Sequence, residues 1–374
     1  MARRAAGARP GRPQRDASAR GGDGPRDPLA PCDRPSSLET QATRGIERRR
    51  QHAVLRSQAP RPEAPPVAGA RLMSPPVADD SANVESRVVW LFGSPRSGST
   101  WLVRMAADHP SIVTMNEPTI GYHLSPFLCN EPGYRTEDLE LSTFTLRRVV
   151  EDDPQRFFSS QYADVWVPSL RRLLNDRLMA HLERELGGAG PGDALLLVKE
   201  PNGSQSADVI MRAQPTARLL FLLRDGRDVV DSELASFLVG GWQERHFPHM
   251  HGIGEAERLD FVTRSAHQWL WRTEVVEAAF AAHRGPKHML RYEDLLREPQ
   301  RGLGELLRWL GVPRSEAEVA AAVERFSFQR LAKRGANQFN RYATPGAWRD
   351  NLRPDERTAV EDILAAKLRE LGYA

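Results

Sequence analysis

Two cysteines, Cys32 and Cys129, are all that the 374 residues contain. So few exclude a disulfide framework and a cluster of thiolate metal ligands, and they suit a reducing cytoplasm. Also missing is any run of about 18 apolar residues, which argues against a transmembrane segment, and the first residues lack the apolar core of a secretory leader. The expectation is a cytoplasmic protein. Lysine is absent from the first 85 residues, which instead hold 15 arginines, 12 of the 28 prolines and hardly any aliphatic run. Such a stretch cannot bury enough apolar surface to offset the entropy of ordering it, so residues 1–85 read as a disordered Arg/Pro/Ala-rich tail. Met73 stands just ahead of the first patterned segment and is an alternative start. The formal net charge is only +3, so with the arginine-rich tail set aside the rest of the chain is slightly acidic and implies no nucleic-acid partner.

One more absence falls inside a motif. The stretch "GSPRSGST" (93–100) has the outline of a phosphate-binding loop, with Gly93, Gly98 and the hydroxyl pair Ser99 and Thr100. The nucleoside-triphosphate signature G-x-x-x-x-G-K-[ST] needs lysine directly after the second glycine, and Ser99 stands there. Loop amides and an open helix start bind an anion without a side-chain charge. The expected cation is Arg96, whose planar fork suits phosphate oxygens.

From Arg87 onward, short apolar runs alternate with longer amphipathic ones, the pattern of β-α units around a parallel sheet. Buried strands are expected at 87–94, 194–200, 217–225 and 287–294, with a weaker one at 111–115. Helices are expected at 98–108, 137–150, 168–186, 204–214, 226–238, 257–284, 299–310, 315–325 and 354–371. The helical stretch 119–190 reads as an insertion. The whole is one α/β, P-loop-like domain over 86–374, a central parallel sheet flanked by helices with helical insertions.

A second anion anchor lies in "LLFLLRDGRDVVDSELASF": Arg224 ends a strand and Ser232 follows eight residues later on the next helix. Arginine supplies a bidentate charge and serine a donor at a helix start, where the field favours an anion. Asp225 and Asp228 are expected to orient the arginines. "RHFPHMHG" brings His246, His249 and His251 together, but without acidic or thiolate partners no metal site is expected. The segment 237–260 reads as a mobile flap over an acceptor, lined by Trp242 and Phe247, whereas Trp269 and Trp271 read as packing residues.

The loop "SPRSGSTW" resembles the phosphosulfate loop of the sulfotransferases, enzymes that use 3′-phosphoadenosine 5′-phosphosulfate (PAPS), in the branch carrying Arg-Ser-Gly. The Arg224/Ser232 pair and "RYATPGAW" (341–348) extend that resemblance over about 87–350. It implies PAPS as co-substrate, no metal requirement, and an acceptor hydroxyl on a small molecule, glycan or lipid. Carried over residue by residue, the co-substrate ligands would be Arg96, Ser97, Gly98, Ser99, Thr100 and Trp101, then Arg224, Ser232, Tyr292 and Arg341. Tyr292 is expected near the adenine, Trp101 packed on it, and Arg341 on the 3′-phosphate, although Tyr342 and Ala343 depart from the family pattern there. Lys199 is expected at the sulfuryl oxygens. For the general base the resemblance to protein-tyrosine sulfotransferases favours Glu117, eight residues after His109, with Glu200 of "LLVKEPNG" as the rival. Two other readings share the loop: a nucleoside-phosphate kinase and a non-catalytic nucleotide-binding protein.

Overall fold

Val88, Trp90 and Phe92 face one side of their strand and Val89 and Leu91 the other, and all five are buried. A strand apolar on both faces must be covered twice, and it belongs in the middle of a sheet. The computed structural model describes residues 81–124, 154–155, 158–187, 192–246, 252–327 and 344–373. The sheet has five parallel strands, β1 (Val88–Phe92), β2 (Ile112–Asn116), β3 (Leu195–Lys199), β4 (Arg218–Leu223) and β5 (Lys287–Arg291), in the order β2-β3-β1-β4-β5. The three inner strands are almost wholly buried, while β2 and β5, at the edges, are buried only in part. All five expected strands are present, each within a few residues of its expected bounds.

In chain order the helices that matter here are α1 (Ser81–Ser86), α2 (Ser99–Ala106), α3 (Ile120–Leu124), α4 (Ala163–Glu185), α5 (Ala207–Ala213) and α6 (Gly226–Phe237). They continue with α7 (Trp242–His246), α8 (Arg258–Ala282), α9 (Tyr292–Arg297), α10 (Pro299–Leu310), α11 (Glu316–Arg325), α12 (Trp348–Asn351) and α13 (Pro354–Glu370). Two apolar cores result, one on each face. One joins Trp90, Phe92 and Phe221 to α4, α5, α8 and α13. The other joins Val89, Leu91, Leu220 and Leu222 to α2, α10 and α11. Trp269 and Trp271, both buried on α8, belong to the first core as expected. The expected helix 137–150, together with Phe247, His249, His251, Arg341, both cysteines and residues 1–80 of the tail, lies outside the described residues.

Helix α2, which follows β1, packs on one face, whereas α5, which follows β3, packs on the other. Neighbouring strands whose helices depart to opposite faces leave a crevice at their carboxyl ends, the usual place for a ligand in an open α/β sheet. Leu91 of β1 is in register with Lys199 of β3, which is in register with Asn116 of β2. The residues after these three positions therefore meet at one edge.

Candidate functional site

The loop after β1 is held open by glycine at its end. Gly98 caps α2 with φ 86°, and a Cβ there would lie 2.4 Å from the ring of Tyr292, so both the backbone angle and the space demand glycine. Ser99 is buried as the first residue of α2, and the Ser97 amide donates to the Ser94 carbonyl at 3.2 Å. Ser97 Oγ is buried with no hydrogen-bond partner among the described residues, and so is Arg224 Nε. Orphaned donors in an anion loop are what a polar ligand would satisfy.

Arg96 differs from its expected posture. The residue adopts φ 67°, and its side chain turns onto α6, where Nε donates to Ser232 Oγ at 3.0 Å. Its carbonyl accepts from Arg224 Nη1 at 2.7 Å. The two expected anchors are thus one bonded unit. Burial draws the Arg96 guanidinium down to about 10, with neighbouring Arg224 adding to the effect and the carboxylates of Glu233 and Glu117 opposing it; the group stays charged at neutral pH.

The cation that reaches the loop's hydroxyl pair is Lys199. Its Nζ donates to Thr100 Oγ1 at 2.9 Å and forms an ion pair with Glu117. The Lys199 side chain is 5% exposed and that of Glu117 42%, so the lysine lies beneath and the carboxylate faces outward. Glu117 directly follows β2, at φ 51°. Its amide donates to the Lys199 carbonyl at 2.8 Å, and Asn202 Nδ2 donates to its Oε2 at 3.1 Å. His109 turns the chain into β2, its Nδ1 accepting from the Ser111 amide at 3.0 Å.

Glu200 faces inward. It is 0% exposed, and its Oε1 accepts from the Gly121 amide at 3.2 Å, while its Oε2 is buried with no hydrogen-bond partner among the described residues. Burial raises it to about 7, with the nearby Gly121 and Thr119 backbone opposing the rise and the Glu117 charge adding to it.

Arg224 lies over the Tyr292 ring, 4.5 Å from its centroid, and Tyr292 is 4% exposed between Arg224 and Gly98. Tyr292 is therefore the wall behind the arginine and the loop. Asp225 caps α6 through the Arg227 amide at 2.9 Å and pairs with the Arg227 side chain at 2.8 Å, which stacks on Trp348. Asp228 accepts from the Gly346 amide at 2.9 Å, and the positive charge of Arg224 acts on its carboxylate. Trp101 also departs from expectation. It is buried in the second core, edge-on to Tyr292, and its Nε1 donates to the Phe326 carbonyl at 3.1 Å, so its indole ties α2 to the end of α11 rather than lining the crevice.

Three contributors went unrecognised in the sequence. Asn202 holds Glu117, Glu233 faces Arg96, and Ser204 Oγ bonds both the amide and the carbonyl of Gly93, at 2.9 and 2.8 Å. The available signal was the polar run "PNGSQS" placed directly after a wholly buried strand. No group of three or more His, Cys, Asp or Glu side chains suited to a metal occurs among the described residues.

Among curated proteins, the chain is similar to the nodulation protein NoeE of Sinorhizobium fredii (strain NBRC 101917 / NGR234). The two are 26% identical over 298 residues, which is 76% of this chain and 66% of that protein, just under two thirds of its length. Among solved structures it is similar to sulfotransferase STF9 from Mycobacterium avium (18% identity, 78% of this chain and 79% of the other, TM-score 0.44). Mouse sulfotransferase SULT7A1, solved in complex with PAP, is similar at 13% identity over 78% of this chain and 90% of the other (TM-score 0.43). The sequence model of the sulfotransferase family matches residues 89–316, a span that takes in Arg96, Glu117, Lys199, Arg224 and Tyr292 and more than half of the chain, and on that match the protein belongs to the sulfotransferase family.

Proposed function

We propose that the protein transfers a sulfuryl group from PAPS to an acceptor hydroxyl, with Glu117 as general base. The observation that carries this is the Lys199 ammonium shared between Thr100, at the start of α2, and the Glu117 carboxylate. It couples an anion loop to a partly exposed carboxylate across two strand ends, the arrangement an in-line displacement needs. PAPS, when bound, supplies an activated sulfuryl group on a phosphate leaving group.

The residues present fit that co-substrate. Ser97 Oγ and Arg224 Nε offer buried donors without other partners among the described residues. The Ser99 and Thr100 amides at the start of α2 precede the first internal bond, which the Trp101 amide makes to the Gly98 carbonyl at 3.0 Å, and a helix start of this kind accepts an anion. Arg96, donating to Ser232, and Arg224, donating to the Arg96 carbonyl, bring two guanidinium charges to the second anion position. Tyr292 keeps the Arg224 plane in place from behind. Lys199 offsets negative charge growing at the loop, and Glu117 takes the acceptor's proton on its exposed side. Asn202, bonded to the other Glu117 oxygen, fixes the carboxylate's orientation.

We take the acceptor to be a hydroxyl-bearing small molecule, glycan or lipid, the catalytic domain to be the expected 86–374 extended upstream by helix α1, and the site of action to be the cytoplasm. Among the described residues no helix is long and apolar enough to cross a membrane. A kinase reading has one point in its favour, since Lys199 reaches Thr100 much as a motif lysine would. Incubating the protein with sulfur-labelled PAPS and a metabolite extract separates the readings. The wild type should label a product and Glu117→Gln should label it about 10²- to 10⁴-fold more slowly. Equal rates in the two proteins would remove Glu117 from the mechanism.

A further inference from the structure

The segment that carries Glu117 is backbone-strained. Glu117 has φ 51° and Thr119 φ 58°, two non-glycine residues in the left-handed region within three positions. Such conformations persist only where the surroundings impose them. Here the imposing element is the turn after β3. Its Ser206 Oγ donates to the Gly121 carbonyl at 2.7 Å, and its Asn202 holds the Glu117 carboxylate. Between them lies Glu200, wholly buried, with the Gly121 amide on its Oε1. The backbone closes over that carboxylate without spare room: a Cβ on Gly203 would fall 2.0 Å from Glu200 Oε1 and 2.8 Å from Gly121 Cα.

We infer that Glu200 is a positioning residue, whose carboxyl pins the Gly121 amide and so holds the strained 117–119 turn with the Glu117 carboxylate on Lys199. The inference deepens the proposed function and rests on Glu117 being the base. It also settles the use of two adjacent side chains: Lys199 and Glu200 leave the end of β3 in opposite directions, one toward the crevice and one beneath the turn that borders it. A carboxyl with no exposed surface offers an acceptor hydroxyl no approach, whereas Glu117 does.

The requirement is for an acceptor oxygen under the Gly121 amide, not for a charge, and this sets the test. In the full-length protein Glu200→Gln keeps an oxygen at Oε1 and is expected to keep kcat within about threefold of wild type, with the same pH profile. Glu200→Ala removes it, and kcat should fall about 10- to 100-fold, the scale of a small misplacement of a reacting group, while affinity for 3′,5′-adenosine bisphosphate stays unchanged. Hydrogen exchange gives a readout independent of turnover: the peptide covering 115–124 should exchange faster in Glu200→Ala and at the wild-type rate in Glu200→Gln. Should Glu200→Ala not fold, Glu200→Asp withdraws the carboxyl by one methylene and carries the same expectations.

A loss in Glu200→Gln as large as that in Glu117→Gln would overturn the inference, since it would make the Glu200 proton essential. Unchanged kcat and unchanged exchange in Glu200→Ala would overturn it equally. If the wild type itself transfers no sulfuryl group, the functional reading fails, and the exchange comparison still decides whether Glu200 holds the turn.

Discussion

The lysine missing after Gly98 is replaced in space by Lys199, one hundred positions further along the chain, whose Nζ reaches Thr100 from the neighbouring strand. A cation delivered this way is shared with a carboxylate. Lys199→Ala is therefore expected to cost both charge at the loop and orientation of Glu117, lowering kcat about 10²- to 10³-fold. Steady-state kinetics with labelled PAPS would show it, and a change confined to KM would contradict it. Glu200 carries a prediction of stability. Its folded value of about 7 stands above the 4.5 of an unperturbed glutamate, so the folded state binds the proton more tightly. Below about pH 4.5 both states are protonated and the group is neutral to stability. As pH rises from there to about 7 stability falls, and the loss is complete above that point. Glu200→Gln, which cannot ionise, should be more stable than wild type at pH 8 by up to about 3 kcal/mol and equally stable near pH 4. Urea unfolding at the two pH values measures this, and a difference independent of pH would count against it.

At the scale of elements, the three inner strands were legible because each is a continuous buried run, and the helices because their apolar residues recur at helical spacing. The start of α4 was misjudged. The helix was expected over 168–186, whereas it begins at Ala163 and takes Pro168 inside. The Ser160–Tyr162 turn before it, with Ser159 accepting from the Gln161 amide and from Trp166 Nε1 through its carbonyl, provides the earlier start. Arg224 and Ser232 were legible as site candidates from their strand-turn-helix setting, and Glu117 and Lys199 through the resemblance to the sulfotransferases. That Arg96 bonds Ser232, that Trp101 points into the core and that Glu200 faces inward were not, because each depends on contacts between segments far apart in the chain. Gly98 is where element geometry is most exacting. Gly98→Ala meets both a left-handed φ and the Tyr292 ring, and it should destabilise the protein by more than about 1 kcal/mol while weakening 3′,5′-adenosine bisphosphate binding through the displaced Tyr292–Arg224 stack. Unfolding curves and titration of the bisphosphate would reveal a tolerated alanine if this is wrong.

At the scale of the molecule, the described residues fall within the unit Pro75–Ala374. Helix α1 is fastened to it by Glu85, 0% exposed, which pairs with Arg171 and accepts from the Thr216 hydroxyl at 2.7 Å and the Thr216 amide at 3.2 Å. A chain beginning at Met73 should keep the full-length unfolding midpoint, whereas one beginning after Glu85 should lose about 3 kcal/mol by stranding the buried partners of that carboxylate. Calorimetry of the two chains would distinguish a fastening at Glu85 from one further upstream.

In the proposed reading the crevice between β1 and β3 holds a nucleotide with phosphates at both the 5′ and 3′ positions, one on the loop and one on the Arg96–Arg224–Ser232 unit. Thermal unfolding of the wild-type protein with 3′,5′-adenosine bisphosphate and, separately, with ATP and magnesium tests this. The bisphosphate should stabilise the protein by about 2.7 kcal/mol at a hundredfold excess over Kd, ATP little or not at all, and Arg224→Ala should lose that stabilisation. Stabilisation by ATP and magnesium alone would contradict that reading.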